Sequence, residues 1–264
     1  MLPRLELFAD AGFPFTRWPD LSRTTVIMPS APTPAEYETL LDMAGFFGAQ
    51  TGALVSGLTV AGVDHLDHVQ DKDIVLIGTK DSQPLLSQWA GRMPLALAGL
   101  ETRVNEAAAW TRLLHPEWPF RQFDGRRLRG LLGSGAPLDV LVESFVSPLR
   151  PDRVVVAIVP RGSGALDAIR ALFTPAERHG PVYGGAAVSH NGRFESFLVG
   201  QFAYHAGELD RYQYATVLLI EYYGFIPPVV ILLAVVIAAW VRRSTERLAK
   251  RRLAALETQP RLMQ

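Results

Sequence analysis

Residues 24–52, TTVIMPSAPTPAEYETLLDMAGFFGAQTG, decide the fold class. Residues 24–29 predict a buried strand, because the run is apolar and β-branched and ends on a proline. Thr33-Pro34-Ala35-Glu36 then reads as a capping box with proline at the first helical position. Tyr37, Leu40, Leu41, Ala44 and Phe47 recur at helical spacing and give one apolar face. Gly48 and Gly52 punctuate its end.

The same alternation runs on along the chain. Strands are predicted at Leu58–Ala61, Ile74–Ile77, Leu138–Val142 and Val154–Val159, and helices over 83–93 and Ser163–Phe173. The uninterrupted apolar run Ile74–Ile77 is of the buried, parallel kind. The pattern predicts an α/β, doubly wound, mostly parallel sheet. Val182–Ser189 and Arg193–Val199 flank His190-Asn191-Gly192, a strong hairpin turn signal, so an antiparallel hairpin should end the sheet. Residues 95–135 are rich in Gly, Pro and Arg; Glu106–Leu114 reads as helical. His115–Phe120, followed by Arg121, Arg126, Arg127 and Arg129, reads as a long loop pinned by Trp118 and Phe120, with sugar stacking as the alternative.

Length and composition narrow the function classes. The 264 residues are 48% apolar and 20% charged, enough for a sizeable core and against wholesale disorder. With 26 basic and 26 acidic residues the net charge is zero, which argues against a nucleic-acid binder. There is no cysteine, which excludes disulfides, thiolate metal sites and Cys nucleophiles and suits an oxidising compartment.

The charge is unevenly distributed. Residues 241–264 hold seven basic and two acidic residues, and residues 1–240 hold 19 basic and 24 acidic ones. Just before this tail, Tyr222–Trp240 is free of charge, with Tyr222, Tyr223 and Trp240 at its ends and Pro227 and Pro228 in its first turns. This run predicts a transmembrane helix over 222–241. The basic flank Arg242, Arg243, Arg247, Lys250, Arg251 and Arg252 would stay cytoplasmic, touching anionic lipid or merely solvated. The division expected is a domain at 1–206, an interfacial linker or helix at 207–221, a span at 222–241 and a basic cytoplasmic tail at 242–264. The start, MLPRLELFADAG, shows no signal peptide. The expectation that reconciles these features is a C-terminal portion of a longer exported protein.

Few residues suggest chemistry. Arg161-Gly162-Ser163-Gly164 joins a strand to a helix and is a weak phosphate-loop candidate through Gly162, Ser163 and Gly164. It has no third glycine and is no Walker motif, and a tight turn capped by Ser163 is the favoured explanation. Asp64-His65-Leu66-Asp67-His68 could hold a metal if His65 and His68 shared a helix face, but no third ligand is evident and a polar loop suffices, so no metal is assigned. No G-x-S-x-G elbow follows a strand, and no catalytic residue is assigned.

Phe8-Ala9-Asp10-Ala11-Gly12-Phe13-Pro14-Phe15-Thr16-Arg17 with Asp20-Leu21-Ser22, and Phe47-Gly48-Ala49-Gln50-Thr51-Gly52, resemble segments of the BcsB family, the periplasmic component of bacterial cellulose synthase, often labelled cyclic di-GMP-binding protein. Asp71–Thr79, the closing hairpin and the final apolar run are similar as well, so the resemblance covers essentially the whole chain. It implies a flavodoxin-like domain in the periplasm, anchored at the inner membrane. It implies a non-catalytic role: stabilising the catalytic glycosyltransferase subunit (BcsA) and supporting β-1,4-glucan synthesis and export. Cyclic di-GMP would act on that partner, so no cofactor is expected here. The lipid bilayer is implied as a further partner, with glucan contact at most indirect and self-association open. The alternative is a membrane-tethered nucleotide- or flavin-binding α/β enzyme. The turn after Val26-Ile27-Met28-Pro29 runs Ser30-Ala31-Pro32-Thr33, and its prolines remove N–H donors that a phosphate loop needs.

Overall fold

The computed structural model describes residues 4–98, 101–104, 118–174, 180–200, 210–212, 216 and 226–257. The chain divides into two compact units, Met1–Leu113 with Glu117–Glu208, and Leu114–Pro116 with Leu209–Gln264. In chain order the first unit holds α1 (Leu5–Ala11), β1 (Thr24–Ile27), α2 (Pro34–Thr51), β2 (Thr59–Ala61), β3 (Asp73–Ile77), α3 (Pro84–Gln88), β4 (Leu95–Ala98) and β5 (Glu101–Val104). It continues with α4 (Trp118–Gly133), β6 (Val140–Val146), β7 (Val154–Pro160), α5 (Ala165–Leu172), β8 (Ala186–His190) and β9 (Arg193–Phe197). The second unit holds α6 (Ile226–Glu257).

Seven strands form one sheet in the order β2-β1-β3-β7-β6-β8-β9, and β4 and β5 pair separately as an antiparallel hairpin. Pairing is parallel from β2 through β1 and β3 to β7. It is antiparallel from β7 through β6 and β8 to β9. The sheet is therefore mixed, which corrects the expected mostly parallel one. The cause is the short connection between β6 and β7, residues 147–153, since a parallel return needs a crossover of about a dozen residues or more. β8 and β9 turn at Asn191 and Gly192, both at positive φ (50° and 72°), as the Asn-Gly pair allows.

Both faces of the central strands are covered. Val26, Val75, Val156 and Ile158 point to one core with Phe8, Phe15, Met43, Phe47 and Ile169. Ile27, Leu76, Val155 and Leu141 point to the other, with Leu86, Trp89, Leu95 and Leu128. In the first core the rings of Phe8, Phe15 and Phe47 meet at centroid distances of 5.6, 6.2 and 5.7 Å. Gly12 ends α1 with φ +68°, and a Cβ there would come within 2.7 Å of the Phe47 ring. The two most specific motifs of the sequence are thus an aromatic knot and the glycine that lets it close.

Two expectations fail besides the sheet direction. Residues 118–133 form helix α4 rather than a loop. Its inward side carries a charged residue, Asp124, beside Leu128, and three glycines interrupt it, which hides the helical period. The transmembrane helix over 222–241 is also corrected: among the described residues no helix is long and apolar enough to cross a membrane. Helix α6 begins at Ile226, so its uncharged run to Val241 has sixteen residues. That is about 24 Å of helix against roughly 30 Å of hydrocarbon. The helix then runs on without a break through Arg242 and Arg243 to Glu257. Among the described residues, the orientation inferred from the basic flank therefore has no span to act on. The expected helices at 106–114 and over most of 207–223, with Tyr222 and Tyr223, lie outside the described residues.

Candidate functional site

In an open α/β sheet, ligands bind beyond the carboxyl ends of the strands, where consecutive connections leave to opposite sides. Here that point lies at β1 and β3, between the turns 28–33 and 78–83. The predicted capping box forms: Glu36 N–H donates to Thr33 Oγ1 at 3.3 Å, and Thr33 N–H donates to Glu36 Oε2 at 2.7 Å. The carboxylate then reaches across the crevice. Its Oε1 accepts from the Ser82 hydroxyl at 3.1 Å, and Ser82 Oγ accepts from Thr79 N–H at 2.9 Å. Glu36 is only 1% exposed. The Glu36 side chain thus lies at the N-terminus of α2, within the crevice between the two turns, and ties the β1 turn to the β3 turn.

The Gly162-Ser163-Gly164 turn after β7 is engaged in the same way. The N–H groups of Arg161 and Gly162 donate to the Asp139 carbonyl at 2.8 and 3.2 Å, and Ala165 N–H donates to the Gly162 carbonyl at 3.2 Å. A Cβ at Gly164 would lie 2.7 Å from Asp139 Oδ1, and one at Gly162 would lie 2.9 Å from the Leu138 carbonyl. The glycines therefore make room for the entry to β6, and a carboxylate faces the turn. Ser163 does not cap α5; Gly164 occupies that position without a side-chain bond.

Residues 63–68 form a short 3-10 turn with Asp64, His65, Asp67 and His68 exposed. Among the described residues, no three His, Cys, Asp or Glu side chains converge on a metal site. On α6, Pro227 and Trp240 are exposed, Trp240 by 69%, as are Arg242, Arg243, Arg247 and Lys250. Arg251 and Arg252 continue the same helix. Val229, Ile231, Leu232, Leu233, Val236 and Ile237 are each more than half exposed, all round the helix. On α4, Arg127 lies over the rings of Phe123 and Phe197 at 5.8 and 5.3 Å and pairs with Asp124.

Three buried carboxylates went unnoticed in the sequence. Asp73 Oδ1 accepts from Val154 N–H at 2.9 Å, tying β3 to β7, and burial raises its pKa. Asp124 Oδ2 accepts from Leu198 N–H at 2.9 Å and holds α4 to the end of β9. Glu143, in the middle of β6, is fully buried; its Oε2 accepts from Leu95 N–H at 2.7 Å, and its Oε1 has no partner. Burial pushes its pKa up to about 8, against the opposing pull of the Leu95 N–H and the Arg161 charge. The signal was legible: in VLVESFV an ionisable residue stands in the middle of a strand that is apolar except for its neighbour Ser144.

Fold and site together define a doubly wound α/β domain whose usual ligand edge is closed by its own carboxylates. The chain belongs to the BcsB family of bacterial cellulose synthase. The model described as "Cellulose synthase BcsB, second FD domain" matches residues 1–158. Two similar relatives are named cyclic di-GMP-binding protein. The one from Pseudomonas fluorescens (strain SBW25) is 30% identical over 96% of this chain and 34% of its own length. The one from Escherichia coli (strain K12) is 30% identical over 95% of this chain and 31% of its own length. A protein named cellulose synthase 1, from Komagataeibacter xylinus, is 26% identical over 98% of this chain and 17% of its length. The chain thus spans about a third or less of the curated relatives it matches.

Proposed function

We propose that the chain works as part of a non-catalytic, periplasmic subunit of a cellulose synthase complex. It stabilises the catalytic glycosyltransferase subunit (BcsA) and supports β-1,4-glucan synthesis and export. The observation that carries this reading is the match of the BcsB family over residues 1–158. The non-catalytic role is supported by the edge between β1 and β3, where Glu36 and Ser82 occupy the ligand position. The same geometry disfavours a nucleotide- or flavin-binding enzyme, since a phosphate there would meet Glu36 and, at the β7 turn, Asp139. Cyclic di-GMP acts, in this reading, on the catalytic partner.

Residues 1–206 form the periplasmic body, and 207–221 link it to α6. The helix is the docking element for the catalytic subunit: its apolar residues from Val229 to Val241 are exposed and call for a surface to cover them. The basic residues Arg242, Arg243, Arg247, Lys250, Arg251 and Arg252 extend that contact toward acidic groups of the partner. The test is deletion of residues 207–264 from the full-length subunit, followed by glucan synthesis in isolated membranes. Synthesis should fall at least tenfold; undiminished synthesis overturns the docking role.

A further inference from the structure

We propose that the β4–β5 hairpin is a strap, held on the sheet by the neutral carboxyl of Glu143 and loosened when that carboxyl loses its proton. The hairpin is not part of the seven-stranded ladder; it lies against it as a two-stranded sheet of its own. Its entry is seated in a fitted place. Pro94 packs where Gly200 lacks a side chain, since a Cβ there would approach it to 3.0 Å, and close to Gly185 as well. The next residue, Leu95, is fully buried and donates its N–H to Glu143 Oε2 at 2.7 Å.

The surroundings of Glu143 suit a neutral group. Its neighbours across the ladder are Ala157 on β7 and Ala186 on β8, both fully buried. They leave room for the carboxyl and offer it no donor. The cover on this face is apolar, with Leu86, Trp89, Leu95 and Leu128. Among the charged and titratable groups on nearby elements, Arg161 past the end of β7 acts on it and favours the ionised form. Asp124 on α4 is bound to Leu198 N–H and Arg127, Glu195 on β9 is paired with Arg127, and His190 on β8 is turned to the Pro137 carbonyl.

One N–H bond is a poor substitute for hydration of a carboxylate, and Oε1 has none at all. Once ionised, the group gains water only if the segment above it lifts. Protonation therefore favours the seated hairpin, and loss of the proton, at a pH near 8, favours the lifted one. No covalent step is involved; the proton goes to solvent.

Amide hydrogen exchange in the full chain, corrected for the intrinsic rate at each pH, tests this. Between pH 6.5 and 9.5 the protection of Leu95–Ala98 should fall at least tenfold relative to that of Ile74–Ile77. In Glu143→Gln, which keeps an acceptor for Leu95 N–H and cannot ionise, the ratio should stay flat. A flat ratio in the native chain, or an equal fall in Glu143→Gln, overturns the strap. Independently, the Glu143 carboxyl followed by ¹³C NMR in the native chain should titrate above neutrality; a midpoint in the ordinary carboxylate range overturns it as well.

Discussion

The two units treat apolar residues in opposite ways. In β3 and β7, Ile74–Ile77 and Val154–Val159 are at most 1% exposed, covered by helices on both faces of the sheet. In α6, the residues from Val229 to Ile237 that are at least as large as valine are 53 to 65% exposed. The first unit completes its own core, and its aromatic knot, buried carboxylates and capped turns all act inward. Among the described residues, the apolar side chains of α6 from Val229 to Ile237 stay exposed. Under the proposed function, the first unit is the structural body and α6 is the recognition element.

Four variants or conditions test that contrast. The largest effect is expected in the knot. Phe47→Ala removes a fully buried ring that contacts Phe8 and Phe15, and should destabilise the first unit by about 3–5 kcal/mol in chemical denaturation. Next comes pH. Below the ordinary carboxylate range Glu143 is protonated in both folded and unfolded chains. As pH rises, the unfolded chain loses the proton first, so stability falls by at most about 1.4 kcal/mol per pH unit until the folded group also ionises near pH 8. Denaturation midpoints between pH 5 and 8 should show this slope, and Glu143→Gln should largely flatten it; Asp73, also raised by burial, accounts for what remains.

A smaller effect is expected at the closed edge. Glu36→Ala deletes half of the capping box and the acceptor for Ser82, and should lower stability by about 1–2 kcal/mol. The smallest is expected on α6: Leu232→Lys with Val236→Lys changes two exposed positions and should leave the unfolding free energy of the first unit within about 0.5 kcal/mol of its original value. A large loss there would erase the contrast between the units.

Much of the first unit was legible because periodicity and turn chemistry agree locally. The strand before Pro29, the capping box at Thr33 and Glu36, and the Asn191-Gly192 hairpin each rest on residues within a few positions of one another. Strand direction was not legible in the same way, because β6 and β7 are buried on both faces and carry no directional period. The length of the 147–153 connection was the clue, and it favoured an antiparallel return. Helix α4 was obscured by Asp124 on its inward stripe, a residue that accepts from Leu198 N–H, 74 positions away in sequence. For the same reason the closure of the ligand edge was half visible. Thr33 and Glu36 announce a cap, but the reach of Glu36 to Ser82, 46 residues on, is a tertiary fact. At α6, the uncharged run reads as a span when Tyr222 and Tyr223 are counted into it; those two lie outside the described residues, and among the described residues no helix is long and apolar enough to cross a membrane.

The proposed function makes the first unit a self-sufficient, non-catalytic body and α6 the recognition element. Its most direct test is a pull-down in which the full-length protein, tagged and carrying Leu232→Lys and Val236→Lys, is asked to retain the catalytic glycosyltransferase. The account predicts that less than a tenth of the partner is retained, while the Glu36→Ala variant retains it fully. Undiminished retention by the α6 variant would contradict it.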